Sequence, residues 1–134
     1  MKKIIISLGV VAVIITAFIA LSKPNSKTTV YSDNSEPSSN VSLENGQQII
    51  TVDAKGGYTP RTTIAKADTP TILRVRTSGT FDCSSALRIP AIKYSKNLPP
   101  TGTTDIELPK QSAGTTLKAL CSMGMYNFSI QFKG

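Results

Sequence analysis

From residue 47 to the C-terminus, apolar side chains fall in short runs that alternate with polar ones, and turn residues interrupt them every 8–15 positions. The segment 71–77 (TILRVRT) shows the pattern best. Ile72, Leu73 and Val75 are set against Arg74 and Arg76, the period-two alternation of a half-buried strand. Similar runs at 47–54 (QQIITVDA), 63–65, 86–92, 103–108, 115–121 and 127–132 predict about seven strands. Gly56-Gly57 and Tyr58-Thr59-Pro60 mark a turn after the first, and Pro90 makes 86–92 an edge strand or a bulge. No segment carries a helical period, and Pro99-Pro100 and the 109–114 stretch cannot be helix interior. The expectation is an all-β domain over 47–134, an antiparallel β-sandwich without internal repeats.

The front of the chain has a different texture. Lys2 and Lys3 precede an uncharged, aliphatic-rich run over 4–21. As a helix it would span roughly 27 Å, close to the hydrocarbon thickness of a bilayer. Residues 1–22 therefore read as one N-terminal transmembrane or signal helix with its positive end in the cytoplasm. The preferred reading is an uncleaved anchor, a single-pass membrane protein with its C-terminal domain outside the cytoplasm. Ala20-Leu21-Ser22 keeps secretion after signal cleavage as the alternative. No cysteine follows the run, which excludes a lipoprotein anchor. Residues 23–46 are rich in Ser, Asn, Thr and Pro, too polar to bury a core, and read as a flexible tether.

Charge adds less than its total suggests. The chain carries 15 cationic and 8 anionic side chains and no histidine, a formal net charge of +7. Cations of the domain such as Lys55, Arg61, Lys66, Lys93, Lys96, Lys110 and Lys118 are scattered, apart from Arg74 and Arg76 alternating on one strand face, and tryptophan is absent. Nucleic-acid binding, which needs a cationic patch with interleaved stacking residues, is not expected. An exported basic protein fits a place near anionic lipid or wall polymer, or simply a solvated surface.

Candidate chemistry is concentrated in sulfur. Cys121-Ser122-Met123-Gly124-Met125 places three sulfur side chains within five residues, and Cys83 is the one other cysteine. In an extended stretch Cys121, Met123 and Met125 would share a face. Thiolates and thioethers are soft donors that favour Cu(I) over hard cations. Two plainer readings stand beside this one. Methionines near a last strand often fill core space, and two cysteines in an exported domain often form a disulfide. A Cys83–Cys121 bridge would be worth roughly 4 kcal/mol on the chain-entropy model. Arg74, Arg76 and Arg88 would lower a thiol pKa if they lay nearby; otherwise they solvate a sheet face. Tyr58 reads as a packing residue.

Gly56-Gly57-Tyr58-Thr59-Pro60, then Cys83, then Leu98-Pro99, then the Cys-x-Met-Gly-Met run resemble, in order and spacing, the small bacterial cupredoxin-like domains. These are similar in fold to plastocyanin and azurin and occur as membrane-anchored modules or beside copper-exporting ATPases. The resemblance implies a Greek-key β-sandwich. It also implies a metal set of Cys83, Cys121, Met123 and Met125, with Cys83 at the end of a central strand and Cys121 ending the penultimate one. Without histidine the chain cannot build a blue-copper centre, which needs two imidazoles.

The function expected is an extracytoplasmic copper-binding protein holding Cu(I) for buffering or delivery, with a copper-transporting ATPase or an oxidase under assembly as partner. The alternative is a disulfide-stapled extracellular binding module without metal. An enzyme is not expected, since neither a paired carboxylate motif nor a nucleophile with a base is recognisable.

Overall fold

The period-two alternation of residues 71–77 becomes the central strand of one sheet. In the computed structural model, which describes residues 37–134, this strand is β5 (Thr71–Thr77). Its Leu73 and Val75 turn inward, while Arg74 and Arg76 turn outward. The first sheet runs β1 (Val41–Glu44), β2 (Gln47–Ala54), β5 and β8 (Gly102–Leu108), with the short β3 (Tyr58–Thr59) also on β2. The second runs β4 (Thr62–Lys66), β10 (Asn127–Lys133), β9 (Thr116–Cys121), β6 (Ala86–Ile89) and β7 (Tyr94–Asn97). Between them lies a core built on Ile50, Val52, Leu73, Leu87, Phe128 and Phe132. Burying each such side chain contributes about 1.5–3 kcal/mol.

Three expectations need correction. Among the described residues the strands number ten rather than about seven, because β1, β3 and β7 were not foreseen. The sandwich is not wholly antiparallel: β2 with β5, and β4 with β10, pair in parallel. The chain leaves the first sheet after β3, forms β4 in the second, and returns as β5, so β5 runs in the direction of β2. The ordered fold also starts before residue 47. Val41–Glu44 pairs with β2 through a hairpin whose central residues, Asn45 (φ 50°) and Gly46 (φ 78°), are both left-handed. That is the turn Asn-Gly favours.

Polar side chains knit the two sheets. Gln48 is buried, and its Nε2 donates to the Lys66 carbonyl (3.1 Å) and Thr71 Oγ1 (3.0 Å). Its Oε1 accepts from the Lys66 N–H at 2.8 Å. At one end, Asn40 Nδ2 donates to the Thr51 carbonyl and to Thr63 Oγ1, each at 2.9 Å. Among the described residues no buried side-chain polar atom lacks a partner. The expected N-terminal transmembrane or signal helix lies outside the described residues. Within them the chain forms two short 3-10 turns, and no helix is long and apolar enough to cross a membrane.

A candidate sulfur site at one end of the sandwich

Cys121 closes β9, where Leu117, Ala119 and Cys121 alternate inward, and its side chain is fully buried. Cys83 opens a 3-10 turn, Cys83–Ser85. Asp82 caps that turn: its Oδ1 accepts from the Ser84 N–H at 2.8 Å and from the Ser84 hydroxyl, and its Oδ2 accepts from the Gly56 N–H at 2.9 Å. These donors, the Ser84 hydroxyl foremost, hold the Asp82 carboxyl below the ordinary carboxylate range. The buried Tyr58 supports the same turn from below. Its hydroxyl donates to the Ser84 carbonyl at 3.0 Å, and its ring packs on Phe128 with centroids 5.0 Å apart. Burial, with a smaller contribution from the Asp82 charge, pushes the Tyr58 phenol up to about 12. Tyr58 is thus the packing residue expected.

These supports bring the two cysteines together as a disulfide, with Cα atoms 5.7 Å apart and a sequence separation of 38. Neither cysteine is free. The loop after Cys121 is a tight turn, not the extended stretch anticipated. The Gly124 N–H donates to the Cys121 carbonyl at 2.8 Å, with Gly124 at φ 73°. Cys121 and Tyr126 then close the hairpin: the Cys121 N–H donates to the Tyr126 carbonyl, and the Tyr126 N–H points at Cys121 Sγ at 3.4 Å. The side chains of Cys121, Met123 and Met125 therefore do not share one face. Cys121 turns into the core, whereas Met123 (77% exposed) and Met125 (64%) stand in solvent. The methionines are not core filler.

Arg74 and Arg76 do not serve the thiols. Both lie on the outer face of the first sheet, where Arg74 forks onto Asp105 (2.9 and 3.0 Å) and Arg76 onto Asp53 (2.7 and 2.8 Å). Two residues at this end went unnoticed in the sequence. Asp82 is the first: Asp82-Cys83-Ser84 carries the side-chain-to-backbone capping signal of an Asp two residues before a donor. Phe81, 84% exposed beside Cys83, is the second, and nothing in a sequence marks an aromatic as solvent-facing. Among the described residues, no three or more His, Cys, Asp or Glu cluster as a metal group would.

Known proteins place the architecture. Comparison with curated protein sequences finds no match. Among solved structures, the chain is similar to the metal-binding domain of the Cu(I)-exporting P-type ATPase CopA of Streptococcus pneumoniae D39, determined with Cu(I). Identity is 21% and the TM-score 0.62, over 70% of this chain and 93% of that one. It is also similar to a copper binding protein solved in the apo form by NMR. There identity is 22% and the TM-score 0.62, over 69% of this chain and 94% of that one. At such identities the likeness establishes the fold. The family model of the cupredoxin-like domain matches residues 9–131, nearly the whole sequence. The chain belongs to the cupredoxin-like domain family.

Proposed function

We propose that the domain binds copper as Cu(I), through the sulfurs of Cys83 and Cys121 in their reduced state with Met123 and Met125 as thioether donors. The observation that supports this reading is that the sulfurs of Cys83 and Cys121 are brought into bonding contact at the end of β9, and that the four residues after Cys121 include two exposed thioethers, Met123 and Met125. The donor set fits a monovalent soft ion: it lacks the imidazoles of a blue-copper centre, and thioethers are poor zinc ligands. Loading requires the disulfide to be opened. A dithiol donor gives up two electrons and two protons, the S–S bond becomes two thiols, and Cu(I) then displaces thiol protons.

The protein is a carrier or buffer rather than an enzyme or electron carrier, because two thiolates would hold the ion firmly in the reduced state. Residues 4–21 anchor it, with the domain outside the cytoplasm. The similarity to the ATPase domain supports a partner of the same kind, a copper-transporting ATPase, with an oxidase under assembly as the other destination. Competition with a Cu(I) chelator tests the site. The reduced protein should take the ion, the oxidised protein should not, and Met123→Leu with Met125→Leu should weaken uptake without unfolding exposed positions. Uptake equal in oxidised and reduced protein would sink this ligand set.

The Cys83–Cys121 bond itself favours a second reading, a disulfide-stapled interaction module without metal. Protein purified without reductant that shows no titratable thiol, and that takes up no Cu(I) after reduction, would establish it.

A further inference from the structure

The cations that look scattered in the sequence are sorted by the fold. The strands of the first sheet carry two cations, Arg74 and Arg76, and four anions, Glu44, Asp53, Asp105 and Glu107. The ion pairs among the described residues (Arg74–Glu44, Arg74–Asp105, Arg76–Asp53) all lie on that sheet. The strands of the second sheet carry no Asp or Glu. Lys66, Arg88, Lys118 and Lys133 alternate outward on one face.

The register tightens the patch. Lys133 lies directly across from Lys66, a like-charge placement that costs stability unless an anion sits between them. Arg88 lies across from Leu120, two residues along β9 from Lys118, within side-chain reach. A shallow depression of about 320 Å³, lined in part by Lys118, Leu120, Asn127 and Ser129, opens on the same face.

We propose that the outer face of the second sheet docks on the anionic phospholipid leaflet of a membrane. Charge complementarity selects the occupant: four cations that make no ion pair among the described residues, on a broad face without carboxylates in its strands, match a sheet of phosphate headgroups. Nearness supplies the concentration, and only this point rests on the reading of residues 4–21 as an anchor. About 15 residues of sequence separate that run from the described domain. Docking has an orientational consequence. The strands lie in the plane of the docked sheet, so the Cys121–Tyr126 loop at their end points along the membrane surface. Cargo held there faces sideways, toward an integral membrane partner.

The fragment 33–134 forms a compact unit that holds both sheets, the core and the disulfide, so it is the test object. It should sediment with phosphatidylcholine vesicles containing a quarter phosphatidylglycerol, not with phosphatidylcholine alone, and the partition should fall steeply with salt. Each charge removed from the face should cost about five-fold. Arg88→Gln with Lys118→Gln should therefore weaken binding by about 25-fold, while the charge-matched pair Lys55→Gln with Lys110→Gln should change it far less. Equal losses in the two pairs would overturn the proposal, as would binding to soluble polyphosphate without binding to vesicles. Cu(I) uptake by the Arg88/Lys118 variant, expected to be unchanged, separates failure of the docking face from failure of the sulfur site.

Discussion

Opening the Cys83–Cys121 bond in the absence of metal should lower the stability of the domain by about 4 kcal/mol. The bond joins positions 38 apart. The chain-entropy relation then gives about 13 cal/mol/K of freedom returned to the unfolded chain, or about 3.9 kcal/mol at 25 °C. The native state should survive the loss, because other contacts hold the same two segments. β6 and β9 remain paired through Leu87 with Cys121 and Arg88 with Leu120, and the Tyr58 hydroxyl still anchors the turn that carries Cys83. Domains of this size have about 5–15 kcal/mol in total, so the loss is a large share of that stability. Urea unfolding followed by tyrosine fluorescence, undisturbed by tryptophan, measures the difference. Cu(I) added to the reduced protein after removal of reductant should recover about 2.7 kcal/mol at a hundred-fold excess over its dissociation constant. A gap below about 1 kcal/mol between oxidised and reduced protein would refute the loop-closure argument. No recovery with Cu(I) would refute the carrier reading.

Three substitutions probe the supports of the site and the fold. Tyr58→Phe leaves the Ser84 carbonyl without its buried partner and should cost about 1–3 kcal/mol by urea unfolding. The same variant should delete an alkaline absorbance transition near 12. Because the folded phenol holds its proton more tightly than the unfolded one, the stability it confers is intact below about pH 10 and is lost as pH rises through about 12. Asp82→Ala removes the cap of the Cys83–Ser85 turn and should cost about 1 kcal/mol at pH 7. Since the Asp82 pKa is lowered on folding, its contribution is present above about pH 4 and fades as pH falls further. An Asp82→Ala protein whose acid unfolding curve matched the parent would refute that assignment. Gln48→Leu strands the Lys66 N–H and carbonyl, and should cost about 3 kcal/mol by the same unfolding assay.

The hydrophobic pattern was legible where a strand has one wet and one dry face. The inward set of β5 and the inward alternation of β9 follow from period two alone, whereas Pro90, expected to mark an edge strand or a bulge, ends β6 and opens a 3-10 turn, and β6 lies between β9 and β7. What escaped has physical reasons. β3 spans two residues, too short to show a period. β1 is exposed on three of its four positions, so its burial pattern resembles that of a tether. The signal that marks β1 is Asn45-Gly46, which speaks for the hairpin rather than for the strand. Pairing direction is not written in alternation at all. It depends on which sheet the chain visits between two strands, and the excursion through β4 makes β2 and β5 parallel.

The sulfur residues stand out in the sequence by their chemistry, but their arrangement turns on one backbone choice. Gly124 in the left-handed region converts five residues of apparent strand into a turn. That turn separates a buried Cys121 from two exposed thioethers. On the proposed Cu(I) reading, this division would give the two kinds of sulfur different work. Cys83 and Cys121 are held by the capped turn, the β6–β9 pairing and the core, so their separation is fixed before any ion arrives. The methionines ride on a short solvent-facing loop and can swing without disturbing the packing beneath. Exchange of an ion between two proteins requires a ligand that can let go while another still holds. It follows that Met123→Leu and Met125→Leu should slow the transfer of Cu(I) to an acceptor more than they weaken equilibrium affinity, whereas Cys83→Ser should abolish both. Stopped-flow transfer to a chelator reads the first quantity and equilibrium competition the second. Equal fractional losses in rate and affinity for the methionine variants would show that the thioethers are ordinary holding ligands.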